Sequence, residues 1–413
     1  MASALESALE PLIRGALPVR LTAWDGSTAG PVDAPCVTLA GPDALRRILW
    51  HPGELGAAQS YVTGELKVDG SLIDALRRVR EIADERELTG RRPSPRQVAT
   101  ALRAVLTLSG GPRRPPAPDT QIRVRGRLHS RTRDRDVIRH HYDLPADFFR
   151  LILDENMAYS CARVTGAALD GTETDSYRLE DAQADKLDLV CRSVGLDARP
   201  GMRLLDVGCG WGSLGLFAAE HYAAQVTGVT ISPAQKAFID RRVAALGLSD
   251  RVTVRLQDYR DVDDGPYDAI ASLEMGEHAG DRGYPDFVHT LHRNAVVGAR
   301  VLVQQMSRRG RHPGGGPFIE AFITPDMTMR PLGRTLELIE RGGLEVLQTR
   351  SLRADYAWTI RAWRGRFEAH RQQIRALVGD EVVRVWELYL AGGELAFEQG
   401  RMGVDQIVAA RTR

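Results

Sequence analysis

"RLLDVGCGWGSLGLFAAEHYAAQVTGVTISPAQ", residues 203–235, is the stretch that decides the fold. A short apolar run ending in Asp206 and Val207 enters Gly208, Gly210 and Gly212, and a helix-like apolar pattern follows. A second apolar strand then closes at Thr230–Ser232. Strand, tight glycine turn, helix and next strand form the unit of a parallel sheet that cradles a nucleoside-bearing cofactor. Gly208 and Gly210 let the backbone approach such a ligand, and Asp206 can position polar groups at the strand end.

Outward from that turn, the pattern alternates. Strand candidates lie at 203–207, 225–230, 252–256, 268–272 and 300–306, with helices between most of them. The segment 177–196 reads as a helix with apolar residues at helical spacing. This alternation predicts a mainly parallel, doubly wound α/β sheet, a Rossmann-like domain. The tail after about 360 reads as helical, with Trp, Phe and Leu on one face that pack a core or line an apolar slot.

Residues 1–84 carry separate strand and helix signals and predict a small α+β N-terminal domain. Residues 85–135, with "LSGGPRRPPAPDT" and many arginines, predict an Arg/Pro-rich mobile linker. Residues 136–413 then form the cofactor domain with helical substrate-binding additions. At 413 residues, two domains are the natural expectation. No apolar run reaches the roughly 18–20 residues that cross a bilayer, and the N-terminus lacks the basic lead of a signal peptide. Cys36, Cys161, Cys191 and Cys209 show no CxxC spacing, so neither a zinc site nor a disulfide framework is expected. A cytoplasmic location is the expectation.

The net charge of +1 hides an arginine-rich stretch between Arg86 and Arg139. Arginine suits phosphate geometry, so this stretch faces anionic lipid headgroups or is a solvated connector. It lacks interleaved aromatics, which argues against nucleic acid.

Three signals narrow the cofactor to S-adenosylmethionine. The turn reads GxGxG after "LLD", not the GxGxxG of dinucleotide binders. The second strand ends in "VTIS" with Gln235 three residues on, where ribose hydroxyls would be met; Thr230 and Ser232 belong to this end. The third strand leads into "LQDYRD", where Gln257, Asp258 and Tyr259 suit an adenine ring. A second constellation, "HHYDLPADFFRLILDENMAYSCA" from His140 to Ala162, places aromatics, carboxylates and a cysteine ahead of the turn, as a greasy substrate meeting a cation would require.

Taken together, "HYDL…DFFRLILD…MAYSCA", "LLDVGCGWG", "VTGVTIS" with Gln235, and "EMGEHAG" resemble the cyclopropane fatty acid synthase family and its mycolic acid methyltransferase relatives. The resemblance runs from about 136 to 413 and implies a seven-stranded methyltransferase domain. It implies that Tyr159 and Ser160 meet the methionine part of the cofactor. It also implies a bicarbonate beside the reacting carbon, held here by Cys161, Glu277, Gln304 and Tyr356. Gln304 stands where the family's histidine is expected, a departure that counts against bicarbonate. Glu155 is another departure, standing where ring-forming relatives commonly carry proline.

A cis double bond is a poor nucleophile, whereas a sulfonium methyl held in line is a strong electrophile. Transfer leaves a carbocation that needs a dry site and one base. Proton loss with ring closure gives a cyclopropane; loss that leaves an exocyclic alkene gives a methylene branch. Glu155, Glu274 and Glu277 are the candidates for a protein carboxylate that replaces bicarbonate. With "FITPDMTMRPLGRT" and the tail, the chain looks like the actinobacterial branch that makes mid-chain (10-)methylene fatty acyl phospholipids toward tuberculostearic acid. That branch implies an unsaturated phospholipid acyl chain as substrate, a separate flavin-dependent reductase as partner and peripheral binding at the inner face of an anionic membrane. A homo-oligomer is a further expectation. The alternatives are cyclopropane formation, methylation of a small molecule or nucleic acid, and a non-enzymatic lipid carrier.

Overall fold

The computed structural model describes residues 1–88, 90, 93–142, 144–170, 177–309 and 314–412, with the side chains of 139–142 outside the description. The chain forms two compact units.

The first unit gathers 1–122, 317–323 and 378–395. Its sheet has four short strands: β1 (Arg20–Thr22), β2 (Thr28–Ala29), β3 (Cys36–Leu39) and β4 (Leu66–Asp69). They lie in the order β2-β1-β3-β4, with only β1 and β3 parallel. Leu5, Leu17, Leu21, Leu39 and Leu45 form the core beneath them.

The expected linker over 85–135 is not continuous, because a folded helix lies within it. Helix Pro95–Leu108 starts on a capping box: Ser94 Oγ accepts from Gln97 N at 3.3 Å and Gln97 Oε1 accepts from Ser94 N at 2.8 Å. Ala101 is buried, and Val105 and Leu108 pack on the N-terminal core. Flanking prolines, glycines and arginines mask this apolar spacing in the sequence. The small unit also does not close at 84, since Ile73 packs against Ala391 and Leu395 from the far end of the chain.

The second unit holds a seven-stranded sheet, the α/β Rossmann-like architecture expected. Its strands are β5 (Arg203–Val207), β6 (Gln225–Thr230), β7 (Val252–Leu256), β8 (Tyr267–Leu273), β9 (Ala295–Arg308), β10 (Leu344–Ser351) and β11 (Met402–Arg411). The order is β10-β11-β9-β8-β5-β6-β7. β5 to β9 pair parallel, and β10 and β11 pair antiparallel. The chain reverses direction across the sheet at β5, which opens a crevice at the carboxyl ends of β5 and β8. Behind it, Leu205, Val207, Ile270 and Val301 are fully buried, as strands covered on both faces require. The C-terminal helices Arg353–Ala369 and Arg371–Glu398 follow β10; the second is kinked at Gly379, whose φ is 79°.

Candidate active site

The crevice is a cleft of about 1160 Å³ of atom-free space, open in part to solvent. Gly208, Gly210 and Gly212 all take positive φ (79°, 52° and 87°), which glycine adopts without steric cost. A Cβ on Gly208 would stand 2.7 Å from Met275 Cγ, and one on Gly212 2.9 Å from Ile239 Cγ1. At Gly210 a Cβ would meet nothing and enter the cleft. Asp206 is fully buried at the strand end, and its Oδ2 has no hydrogen-bond partner. Burial pushes its carboxyl up to about 7, against the pull of nearby Lys186. An orphaned acceptor beside a side-chain-free turn fits a ligand carrying donors, as S-adenosylmethionine does.

Of the residues expected to hold that cofactor, Tyr159, Ser160, Asp206, Gly208 and Gly210 line the cleft. Thr230, Gln235, Gln257, Asp258 and Tyr259 line it as well. Thr230 Oγ1 donates to Gln235 Oε1 at 2.6 Å, so the two side chains act as one unit. Asp258 is less free than the sequence implied: its two oxygens accept from the guanidinium of Arg260 at 2.8 and 2.7 Å. Ser232 is a correction, because it does not line the cleft. Its Oγ caps helix Pro233–Ala245 by accepting from Gln235 N at 3.3 Å, the ordinary use of serine before a proline-started helix. Of the "HHYD" string, Asp143 and the side chains of His140, His141 and Tyr142 lie outside the described residues.

Aromatic rings lead inward from the cleft. Tyr159 packs between Phe149 (5.7 Å) and Trp363 (5.4 Å), and Trp363 meets Tyr356 edge-on at 6.0 Å. Tyr356 also packs against Phe397, with ring centres 4.5 Å apart and planes tilted by 41°. Ring faces of this kind favour a passing cation and exclude water.

At the end of this wall stands Glu274. Its Oε1 accepts from Cys161 N at 2.7 Å and Gln304 Nε2 at 3.0 Å, and its Oε2 accepts from the Tyr356 hydroxyl at 2.7 Å. Glu274 therefore joins three of the four residues expected to hold bicarbonate. Burial raises its carboxyl above the ordinary value, while Tyr356, Cys161, Gln304 and then Lys186 pull the other way. Its backbone is left-handed, with φ 54°, a conformation that costs a non-glycine residue about 1–2 kcal/mol. Such strain persists only where surrounding bonds impose it. Here the three side-chain bonds and a 2.6 Å bond from Glu274 N to Gln304 O do so.

The structure does not bring two other expected catalytic residues, Glu155 and Glu277, into this cluster. Glu155 is exposed on the turn after helix Ala146–Ile152, away from the cleft lining. Its neighbour Asp154 is the buried one, accepting from Asn156 N and Ala158 N to hold that turn. Glu277 is buried and accepts from Met306 N at 3.3 Å; it bonds none of Cys161, Gln304 and Tyr356. Burial, reinforced by Glu274, pushes its carboxyl up to about 8. Cys161 contributes its backbone N–H. Its thiol bonds carbonyls of Ala162 and Leu352, and burial pushes its pKa well up. Because these donors already hold a protein carboxylate, the set does not fit a bicarbonate.

Lys186 was missed by sequence reasoning. It is wholly buried and donates to Ser160 Oγ at 2.9 Å, with Asp154, Glu274, Cys161 and Asp206 in its field. Its position on an apolar helix face was the available signal. No group of His, Cys, Asp and Glu able to hold a metal occurs among the described residues.

The family described as mycolic acid cyclopropane synthetase matches residues 129–407. A Mycobacterium tuberculosis protein named "Probable fatty acid methyltransferase" is 34% identical over 408 residues, covering 96% of this chain and 92% of its own length. The tuberculostearic acid methyltransferase of the same organism is 34% identical over 403 residues, covering 94% and 87%. A crystal structure of a mycolic acid cyclopropane synthase complexed with SAH and CTAB aligns with TM-score 0.61 at 32% identity, over 67% of this chain and 98% of that one.

Proposed function

Since the chain belongs to the mycolic acid cyclopropane synthetase family, we propose that its buried Glu274 is the base that turns a methylated acyl cation into a methylene-branched fatty acyl product. The chain is an S-adenosylmethionine-dependent methyltransferase acting on fatty acyl chains. When bound, the cofactor supplies an electrophilic sulfonium methyl group to one carbon of the double bond.

The residues divide the work as follows. Tyr159 and Ser160, the latter oriented by Lys186, would meet the methionine part. Asp206 and the glycine turn would receive the middle of the cofactor. Gln235, its Oε1 already taken by Thr230, would meet ribose hydroxyls through its NH2, and Gln257, Asp258 and Tyr259 would surround the adenine. The aromatic wall from Tyr159 to Tyr356 keeps water from the acyl cation. An exocyclic alkene requires the positive charge on the carbon that bears the new methyl, reached by a neighbouring hydride shift. The proton then leaves that methyl group, and Glu274 is the acceptor. Cys161 N, Gln304 and Tyr356 hold its two oxygens in one place and keep enough charge on them to act.

The observation that carries this reading is the triple anchoring of Glu274. The likeness to a tuberculostearic acid methyltransferase supports a branch over a ring. An alkyl surfactant complex in a relative is consistent with a long-chain substrate. No helix among the described residues is long and apolar enough to cross a membrane. Access to phospholipid would therefore use a peripheral contact, for which the arginines between 86 and 139 supply charge. A flavin-dependent reductase would act afterwards on the alkene.

Expression in a host rich in monounsaturated phospholipid, followed by mass spectrometry of its fatty acids, tests the proposal. A methylene-branched acid is expected. A cyclopropane acid would overturn the product assignment, and unchanged fatty acids would overturn the activity.

A further inference from the structure

Gln304 faces two acceptors with one end: its Nε2 donates to Glu274 Oε1 at 3.0 Å and to Cys161 O at 3.3 Å. A primary amide has one donor end and one acceptor end. With the donor end committed, Gln304 Oε1 must point the other way, into a wholly buried part of the sheet. There it accepts from Gln406 Nε2 at 3.3 Å. Gln406 lies directly opposite Gln304 in the antiparallel β9–β11 register and is itself buried, with 3% exposure. Cross-strand partners on one face sit within side-chain reach, so the register delivers this contact.

Resting on the reading of Glu274 as the base, we propose that Gln406 is a positioning residue: by donating to Gln304 Oε1, it locks the amide in the orientation that presents a donor to Glu274. Without Gln406, the amide has no partner for its oxygen on the sheet side. It then disengages or turns that oxygen toward Glu274 Oε1, replacing a hydrogen bond with a repulsion between acceptors. Gln406 touches neither substrate nor cofactor in this scheme; it acts through Gln304.

The test is a double-mutant cycle of Gln406→Leu and Gln304→Leu, read by kcat, KM and the acid limb of the pH–rate profile. Gln406→Leu is expected to lower kcat about tenfold, the loss of one hydrogen bond to a charged group. KM should change less than twofold, and the acid limb should move up by about one pH unit. Gln304→Leu should do the same, and the double variant should be no worse than either. Its apolar-on-apolar pair should also restore melting temperature lost in the singles, because no buried polar atom is left alone. Additive losses of about a hundredfold in the double variant, or an unmoved acid limb, overturn the proposal. If Gln406→Leu does not fold, the double variant against Gln304→Leu decides: equal profiles support the lock, and a further drop refutes it. Glu274→Gln separates the two readings. Full turnover in Glu274→Gln removes the base itself, whereas an inactive Glu274→Gln with an unmoved acid limb in Gln406→Leu removes only the lock.

Discussion

Replacing Glu274 with glutamine removes the base while keeping its shape. Cys161 N and Gln304 Nε2 both donate to Oε1, so the amide oxygen of Glu274→Gln takes that end. The amide NH2 then faces the Tyr356 hydroxyl, which rotates to accept. All three contacts survive, and the left-handed backbone keeps its anchors. The variant should fold, with a melting temperature within about 2–4 °C of the parent, the shift for roughly 1 kcal/mol. What disappears is the proton acceptor. General-base removal costs about 10²- to 10⁴-fold, or about 3–5 kcal/mol in the barrier. The assay is methyl transfer from labelled cofactor to vesicles of monounsaturated phospholipid, alongside calorimetric titration of the cofactor. The expected result is a kcat lowered at least a hundredfold with cofactor affinity within threefold. Trace hydroxylated product should also appear, as water captures the cation that lost its base. Turnover within threefold of the parent, or equal losses of turnover and affinity, would refute the reasoning.

Other consequences are as direct. Gly210→Asn should weaken cofactor binding at least tenfold with little effect on melting, because asparagine tolerates left-handed backbone and a side chain there enters the cleft; calorimetric titration checks this. Gly212→Asn meets Ile239 instead and should show the reverse, a clear melting loss. Turnover should rise with pH through the carboxyl of Glu274, which burial lifts above the ordinary range. Tyr356→Phe removes a donor that lowers it, so the acid limb of the kcat profile should move further up. For Glu277, lifted from 4.5 to about 8, the folded state binds an extra proton between those values. Stability should then fall as pH rises through that window, and Glu277→Gln should flatten the fall in denaturant titrations. Binding to anionic vesicles should weaken between low and physiological salt if the arginine stretch supplies the contact; sedimentation indifferent to salt and lipid charge would contradict this.

Much of the fold could be read from residues 203–235, because a glycine turn between a strand and a helix has few other uses. β5, β8 and the middle of β9 carry apolar runs and stand out for that reason. β10 does not, since "LEVLQTRS" is polar on one face and largely exposed. β11 was hidden in a tail whose preceding helices dominate the pattern. Helix Pro95–Leu108 was obscured by prolines, glycines and arginines around a short apolar stripe. At the site, the residue types in "EMGEH" were legible, but which glutamate faces Cys161, Gln304 and Tyr356 was not. That depends on the left-handed turn at Glu274 and on β9 bringing Gln304 alongside. Spacing along the chain carries no record of either. Similarly, Gln406 acquires its meaning only from the β9–β11 register.

The central claim is that this chain carries its own base. The most direct measurement is methyl-transfer turnover in bicarbonate-depleted buffer, with bicarbonate then added back, for the parent and for Glu274→Gly. The account predicts that the parent is indifferent to bicarbonate, while Glu274→Gly is inactive until added bicarbonate enters the space the carboxylate left. A parent that stops on depletion and recovers on addition would contradict it.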